Sequence, residues 1–491
     1  MSDTNRVSLR AVEESAYGVI PATPDFETIP IASAPNLAFT PATVVSELLR
    51  DDRQISDLPL VGGSAGGDSN SELAFGIYDT FLEGAFFSQW QARLKWHNRL
   101  TVDQITAVDA DSYTVADLGS AVSAGDLVFA EGFTNAANNG LKVVDAGPTN
   151  TDVPVVGAGM VVETPSEFAK LSYVGVQAAT SDIVATLSPD TLTSTILDFT
   201  TLGLEAGDWL LIQGFSTTTE DNDYVRIVSV AANILTVDRV PTGWAADSGS
   251  GDTVQLFLGE RIKNGTTKRS YALEMTYNDH NPVTFSYLLG MITDGFTFTA
   301  QPQAIVTSGA TFLGSTQFYS DSVDQGPGCD GTGRFAGAVT ISAPRFQVYN
   351  SSSNVGRIAR NGVVISGLNF VTEASISIAN NLREKPAVGV LGAADVGSGE
   401  FGVTGSLQTY FDDKSLAVDV VNNAESSFDI RFRDAIGRAQ LWDVPRLKFS
   451  EGSPEVPGKN DDVTIPLQYQ GILDETLGYT LKLMRFHHVP V

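Results

Sequence analysis

Apolar and polar residues alternate along several short stretches of this chain. Phe296 and Phe298 flank Thr297, and because successive side chains of a strand point to opposite faces, this period of two predicts a half-buried strand. The same alternation recurs at 73–77, 271–276 and 428–433. One short amphipathic helix is predicted at Asp79–Phe86, with Asp79 as its N-cap. Gly, Thr, Val and Ser are frequent and helix-forming runs are scarce, so the pattern predicts an all-β fold.

The chain also resembles itself over a long distance. The first copy runs through Asn36–Phe39, Leu49-Arg50, the Gly-rich segment Gly62–Asp68 and the strand-like Ser71–Tyr78. The second copy runs in the same order through Gly367–Phe370, Leu382-Arg383, Gly389–Gly399 and Glu400–Tyr410. Repeats of this size bury a face against their neighbour, so they stack or close into rings. The long repeat therefore indicates two similar strand-rich halves and a component of an assembly.

A smaller repeat is nested between those copies. Ala124–Val128 is followed by Gly132-Phe133, and Ala206–Leu210 is followed by Gly214-Phe215. In both, Ala-Gly-Asp leads into four apolar residues, which predicts a turn that feeds a buried strand. We interpret the pair as two similar β modules in one inserted domain at 99–259. The main domain then has its first half at 1–98 and 260–345 and its second half at 346–491.

Charge is concentrated in the predicted insert. The whole chain has a formal net charge of -28, and residues 101–259, with about 21 acidic and about 4 basic side chains, account for roughly −17 of it. Such an acidic excess keeps a surface soluble and repels association. It argues against wrapping nucleic acid, which needs clustered Lys and Arg.

The sequence gives no sign of export, membrane insertion or disulfide chemistry. Cys329 is the single cysteine, which excludes a disulfide within the chain and a Cys-rich metal site. The first residues lack a basic segment followed by an apolar one, and no apolar run reaches the length of a membrane span. We therefore expect a soluble protein that folds in a reducing cytoplasm.

No catalytic or metal-binding constellation emerges either. None of the four histidines has the spacing of metal ligands. Asp221–Asp223 and Asp412-Asp413 lack the spaced oxygen ligands of a calcium loop, and they are interpreted as solvated turns. Gly62–Gly67 lacks the Lys-Ser/Thr ending of a phosphate-binding loop and is expected to be mobile. We predict no enzyme activity, no cofactor and no metal.

Several carboxylates are candidates for the inner surface of a closed ring. Glu274 belongs to an alternating strand whose other face is expected to be buried, so its own side chain should be exposed. Glu400, Asp412 and Asp413 accompany the Gly-rich and strand segments of the second half, as Asp68 and Glu72 do in the first half. Such carboxylates would repel a polyanion that slides through the ring. An ordinary solvated strand face is the alternative for each of them.

A set of short segments carries a family resemblance. They are Arg6–Val19 with Pro21–Pro24, Ser46-Glu47 followed by Arg50–Asp57, Gly66–Asp68, Tyr78–Ala85, Asn264–Thr267, Gly399–Tyr410 and Leu447–Glu455. Within residues 5–95 and 260–491 this set resembles the tail tube proteins of long, non-contractile-tailed (siphovirus-type) bacteriophages. The acidic insert departs from the simplest members of that family.

The resemblance implies a tail-tube β-barrel or sandwich domain whose rings stack into a hollow tube that conducts DNA from capsid to host cell. Two tube-like halves per chain imply a ring of three chains with quasi-sixfold symmetry, and a ring of six chains is the alternative. The implied partners are further copies of the chain, the tape-measure protein, the tail tip, the tail terminator and double-stranded DNA in transit. The implied location is the virion, assembled in the host cytoplasm.

Three segments are candidate bridges between stacked rings, because they are predicted to be extended or mobile. They are the Pro-rich N-terminal arm, Pro454–Asp462 and the Gly-rich loop with Gly62, Gly63, Gly66, Gly67 and Asp68. The arm is predicted to lie on a neighbour or on its own barrel, and the insert is expected to be an outward-facing decoration. The alternative function is a β-rich module that binds a host surface or glycan. Few aromatics are available for it, since Trp209 is expected to be buried.

Overall fold

The chain is built almost entirely of strands. The computed structural model describes residues 3–99, 104–157, 159–344, 346–365, 370–412 and 414–490. Strands make up 47% of it and helices 6%, with large multi-stranded sheets, which confirms the all-β prediction.

The elements follow one another in four groups. The first group contains β1 Val7–Glu13, β2 Asp25–Ile29, β3 Asn36–Thr43, β4 Leu60–Glu72 and α1 Asp79–Phe86. The second contains β5 Lys95–His97, β6 Ile105–Val108, β7 Ser112–Val115, β8 Asp126–Glu131, β9 Gly140–Val143, β10 Asp152–Pro154, β11 Lys170–Gln177, β12 Val184–Thr186, β13 Thr191–Thr193, β14 Trp209–Gln213, β15 Tyr224–Ala231, β16 Ile234–Asp238 and β17 Gln255–Leu258. The third contains β18 Glu260–Lys263, β19 Tyr271–Tyr277, β20 Thr284–Ala300, β21 Thr307–Gly314, β22 Thr316–Ser320 and β23 Val339–Ile341. The fourth contains β24 Val355–Arg360, β25 Val363–Val364, β26 Val371–Ala379, β27 Arg383–Pro386, β28 Ala393–Gly397, β29 Gly402–Tyr410, α2 Ser415–Val421, β30 Glu425–Arg433, β31 Ala439–Gly452, β32 Thr464–Gly471 and β33 Lys482–Phe486. Short 3-10 helices span Thr4–Arg6, Ala136–Asn138, Phe199–Leu202 and Thr219–Asp221.

The two halves of the main domain pair their strands in the same order. In the first half the order is β1-β19-β20-β21-β4-β3, with antiparallel neighbours throughout. In the second half it is β24-β30-β31-β32-β29-β26, again antiparallel throughout. Each half also carries one helix after its Gly-containing strand, α1 after β4 and α2 after β29. The long repeat is therefore present as a repeat of topology.

A pair of glycines aligns the two halves residue by residue. Gly67 of β4 has φ +134, and a Cβ on it would lie 1.7 Å from the carbonyl oxygen of Asn36. A Cβ on Gly405 of β29 would lie 2.2 Å from the carbonyl oxygen of Ser375. Asn36 therefore corresponds to Ser375. The predicted match of Asn36–Phe39 with Gly367–Phe370 is therefore wrong by eight positions. Residues 367–369 lie outside the described ranges.

The Gly-rich segment is a strand, so the predicted mobile loop is wrong. Gly62, Gly63, Gly66, Gly67 and Asp68 all belong to β4, between β3 and β21. Neighbouring groups occupy the space that side chains would need, since a Cβ on Gly63 would lie 2.2 Å from the ring of Phe39. Glycine within a strand commonly marks such a close approach.

The alternating residues that follow β4 do not form the predicted strand. Leu73, Phe75 and Ile77 are buried, but residues 73–78 form a bend and an isolated bridge rather than a strand. Helix α1 then begins at Asp79 as expected. Asp79 is its first residue and not its N-cap, because Tyr78 occupies the cap position. The Asp79 carboxylate instead forms an ion pair with Arg485.

The N-terminal arm lies on its own domain. β1 pairs with β19 over its whole length, and β2 pairs with β1 and, in parallel, with β23. Of the two positions predicted for the arm, the structure shows the second. The main core lies beneath these strands and helix α1, and it continues without a break into the second half.

The insert repeats a smaller topology. β8 pairs with β9 and β11, as β14 pairs with β15 and β17, and the two modules join through β11 and β17. In the first module Asn139 accepts the Phe133 N–H (3.0 Å) and donates to its carbonyl oxygen (2.9 Å). Asn222 does the same to Phe215 in the second, at 2.9 and 2.7 Å. The predicted pair of similar modules therefore shares both strands and turns. The residue boundaries assigned to the domains stay a prediction.

Candidate assembly surfaces

One sheet passes through both halves of the main domain. Its order is β3-β4-β21-β20-β26-β29-β32-β31, so β26 of the second half adds directly to β20 of the first. One face of this sheet packs into the core through residues such as Phe296, Phe298, Ile376 and Leu467. The opposite face is lined by small polar side chains.

The polar face consists mainly of hydroxyl and amide groups. Its members include Thr297, Thr299, Thr307, Thr311, Ser375, Ser377, Thr404, Ser406, Gln408, Gln468 and Gln470. Thr297 Oγ1 lies 2.8 Å from Ser377 Oγ, across the boundary between the halves. Ser375 Oγ lies 2.7 Å from Ser406 Oγ. Hydroxyl pairs therefore tie neighbouring strands together on this face.

Carboxylates are sparse on the polar face. Asp68 and Glu72 face Thr311 and Thr307 on the neighbouring strand, and both are half-buried. Glu373 accepts hydrogen bonds from Ser406 Oγ (2.9 Å) and Gln301 Nε2 (3.0 Å). On β31, Glu451 lies opposite Gln468 and Lys448 opposite Gln470, so one charge of each sign is added there. The face is therefore weakly acidic and predominantly neutral.

Glu274 is not exposed, so the expectation for this candidate lumen carboxylate is wrong. Its side chain is 0% exposed because residues on both sides of β19 cover it. Its carboxylate lies 2.5 Å from Arg10 and 3.4 Å from Arg334, and it accepts a hydrogen bond from Tyr287 at 2.9 Å. Glu274 therefore joins strand β1 to strand β19 as a buried ion-pair partner.

The remaining candidate carboxylates do not form one cluster. Glu400 is exposed just before β29, and Asp412 is exposed just after it. A nine-residue strand separates them, which is about 30 Å at the rise of an extended chain. Asp413 lies outside the described residues.

The connection between β3 and β4 is a hairpin that projects from the sheet. Hydrogen bonds from Val44 N to Pro59 O (3.1 Å) and from Ser46 N to Asp57 O (3.0 Å) continue the hairpin beyond the sheet. The tip, defined as residues 44–59, exposes large apolar side chains. Leu49 is 102% exposed, Leu48 74% and Ile55 72%. Contiguous exposed apolar residues mark interaction surfaces.

The insert is fixed to the second half by an apolar interface. Trp209 and Tyr224 of the insert pack with Leu441, Met484 and Phe486 of β31 and β33. Burial of side chains of this size contributes about 2 kcal/mol each. Trp209 is buried, as expected, and Trp244 is buried as well, so neither presents an exposed aromatic ring.

Buried ion pairs border this interface. His487 Nδ1 lies 3.0 Å from Lys170 Nζ, which requires an unprotonated nitrogen because the ammonium group only donates. Burial lowers the pKa of His487 to about 4. Burial opposes ionisation of Glu260 too, but the charge of Arg485, 2.6 Å away, holds the pKa of Glu260 well below its usual value.

The sequence analysis did not predict the polar face of the sheet, the projecting tip at 44–59 or helix α2. The alternation of Phe296, Thr297 and Phe298 indicated the polar face, since Thr297 lies between two buried residues and faces away from the core. The described residues hold no group of three or more His, Cys, Asp or Glu placed to bind a metal ion. None of the helices in the described ranges is long and apolar enough to cross a membrane.

Two halves of the same topology, a sheet that passes through both of them and a hairpin tip with exposed apolar side chains are features expected of a structural β-protein that assembles. The sequence pattern of the phage tail tube protein family matches residues 4–471, nearly the whole chain. The chain belongs to the phage tail tube protein family, and its role is that of a structural virion protein that self-assembles into the tail tube. No curated protein matches the chain. Nothing found supports the alternative of an adhesion module.

Proposed function

We propose that three copies of this chain close into a ring with quasi-sixfold symmetry and that the rings stack into the tube of a long, non-contractile tail. The observation that carries the proposal is the repeated pairing order, β1-β19-β20-β21-β4-β3 and β24-β30-β31-β32-β29-β26, joined in one sheet. Two similar halves in one chain supply two of six positions around an axis. A ring of six chains is the outcome that would contradict this stoichiometry.

The polar face of the continuous sheet is proposed to line the lumen. Hydroxyl and amide groups such as Thr297, Ser377 and Gln468 offer DNA no fixed positive charge over most of this face. Lys448, opposite Gln470, lies at its β31 end. Asp68, Glu72 and Glu373 add weak repulsion. Glu400 and Asp412 are proposed to carry charge at the ends of β29 rather than along the lumen, and Asp413 stays a candidate lumen carboxylate.

The apolar tip 44–59 is proposed as the contact between stacked rings. It exposes Leu48, Leu49 and Ile55, whereas the glycines of β4 at its base are fixed in the sheet. Gly62, Gly63, Gly66, Gly67 and Asp68 therefore support the bridge instead of forming it. Burial against a neighbouring ring would remove the exposed apolar surface from water.

A tail tube of this kind has further proposed partners. They are the tape-measure protein inside the tube, the terminator and the tip at its two ends, and double-stranded DNA during ejection. Assembly takes place in the host cytoplasm. The chain acts structurally and without a catalytic step.

Negative-stain electron microscopy of the concentrated protein tests the proposal. We expect hollow rings and tubes, with threefold end-on averages that show six similar densities. Strict sixfold averages from six chains would overturn the stoichiometry, and persistent monomers would overturn self-assembly by the chain alone.

A variant of the tip tests the stacking contact. Leu48→Asp with Leu49→Asp places two charges on the apolar surface, so we expect rings without long tubes. Leu187→Asp is the matched control, because Leu187 is 50% exposed on the insert. Tubes of normal length from the tip variant would contradict the assignment.

A further inference from the structure

The joint between the two halves is formed by the addition of one strand to an edge. β26 pairs antiparallel with the C-terminal end of β20, from Gly295 opposite Ala379 to Ala300 opposite Ala374. Asn380, just after β26, donates to the carbonyl oxygens of Ala85 and Thr293, at 3.0 Å each. The joint therefore combines an added strand with a contact to helix α1.

Each half contains the counterparts of both elements. β3 corresponds to β26, since Asn36 matches Ser375 through the glycine pair Gly67 and Gly405. β31 corresponds to β20, because both have a bulge at the matching place. The β20 register shifts just before Gly295, and the β31 register shifts just before Glu451.

Within the described part of one chain, the counterpart edges have no strand partner. Among the described strands, β3 pairs only with β4, and its Phe39 N–H donates to the Gln317 side chain at 2.8 Å. The pairing of β31 with β30 ends at Lys448, so no described strand lies along that edge from Phe449 to Gly452. An unpaired edge is a template for another strand.

Helix α1 of the first half is more buried than helix α2 of the second half. α1 packs on β20 and α2 packs on β31. The fourth and seventh residues of α1 are Leu82 and Ala85, which are 1% and 0% exposed. The fourth and seventh residues of α2 are Val418 and Val421, which are 41% and 84% exposed. The second half therefore lacks the cover that the first half receives from β26 and the residues after it.

We propose that β3 of a second copy of this chain adds to the free end of β31, antiparallel, and repeats between copies the joint that β26 and β20 make within one. The internal joint identifies the partner, since the strand that fits the second half is the counterpart of the strand that fits the first. This inference rests on the proposed ring, and it supplies the joint that closes it.

The expected register follows from the internal joint. In the internal joint Phe296 lies opposite Ile378. The corresponding pair between copies is Gly452 opposite Phe39. Likewise, Thr297 lies opposite Ser377 within the chain, and the corresponding pair between copies is Ser453 opposite Ala38. Pro454 lacks an N–H but keeps a carbonyl oxygen that can accept from the neighbouring strand.

Disulfide trapping tests this register. In a Cys329→Ser background, Ala38→Cys with Ser453→Cys should crosslink neighbouring copies under mild oxidation, because both positions are exposed in the single chain. Non-reducing electrophoresis should show dimers and trimers, and a series that ends at the trimer for a ring of three. Each single-cysteine variant should give no such series.

The matched control uses the joint inside the chain. Thr297→Cys with Ser377→Cys should form a disulfide within one chain and leave the protein at monomer mass, since the two hydroxyls lie 2.8 Å apart. Tubes in the microscope, a reactive control pair and no crosslink in the Ala38→Cys, Ser453→Cys variant would overturn the inference while the tube function stands. Absence of any assembly would overturn the proposed self-assembly and, with it, this joint.

A second variant tests the uncovered helix. Val421→Asp should weaken the association constant between copies about tenfold, which corresponds to about 1.4 kcal/mol, and leave thermal unfolding of the single chain unchanged. Val323→Asp is the control, since Val323 is 82% exposed in a surface turn. Normal assembly of Val421→Asp would overturn the proposed cover of α2.

Discussion

At the scale of single residues, backbone space decides where the chain can tolerate a side chain. Gly67→Ala should lower the free energy of unfolding by about 3 kcal/mol, because a Cβ would lie 1.7 Å from the Asn36 carbonyl oxygen and φ is +134. Gly119→Ala is the matched control. It has φ +74 but no atom within 4 Å, so only about 1 kcal/mol of backbone strain is expected. Equal losses in chemical denaturation would contradict the close approach of β3 and β4.

Protonation of His487 should make stability depend on pH. Burial lowers its folded pKa to about 4 from the ordinary 6.5, so between these values the unfolded chain binds a proton that the folded chain does not. Stability is then fully present above pH 6.5 and is lost as the pH falls toward 4. Burial lowers the pKa of His97 to about 4 in the same way.

Thermal unfolding between pH 7.5 and 4.5 measures this dependence. We expect the midpoint to fall across the range and the fall to be smaller in His487→Gln. His280→Gln is the control, because His280 lies exposed in the turn between β19 and β20. A midpoint that stays constant from pH 6.5 to 4.5 would show that the buried histidine contributes nothing.

At the scale of elements, the insert is more than a loosely attached outer domain. Its removal would expose Leu441, Met484 and Phe486, which are at most 1% exposed in the intact chain. We therefore expect a chain with 101–259 deleted to aggregate, since an apolar patch on a sheet becomes uncovered.

A second deletion separates folding from assembly. The same deletion with Leu441→Thr, Met484→Gln and Phe486→Thr restores a polar surface, and it should stay soluble and form tubes if the insert decorates the outside. Light scattering and electron microscopy measure the two properties. A soluble product that forms no rings would show that the insert itself takes part in assembly.

At the scale of the whole molecule, the proposed lumen face sets the ease of DNA passage. Glu72→Lys with Glu373→Lys changes the polar face from weakly acidic to basic and so attracts phosphates. Tubes should still form, and DNA ejection from reconstituted particles should slow, more strongly at low salt. Asp117→Lys with Glu220→Lys on the insert changes the net charge equally and should leave ejection unaltered. Unchanged ejection in the first variant would place this face outside the lumen.

Short-range patterns identified much of this protein before its structure. The alternation of apolar and polar residues predicted an all-β fold, the Ala-Gly-Asp segments predicted the two insert modules, and Asp79–Phe86 predicted helix α1. These features depend on neighbours within a few residues, because strand and helix periods are local. The family segments identified a phage tail tube protein, which the match over residues 4–471 confirms.

Tertiary structure alone decided the features that depend on distant neighbours. Gly62–Asp68 has the composition of a loop, and only its contacts with β3 and β21 make it a strand. Glu274 has the spacing of an exposed residue, yet Arg10 and Arg334, far away in sequence, hold it in the interior. The joint between β20 and β26 also lies beyond local pattern, because pairing across some 80 residues is fixed by the fold of both halves and not by either strand.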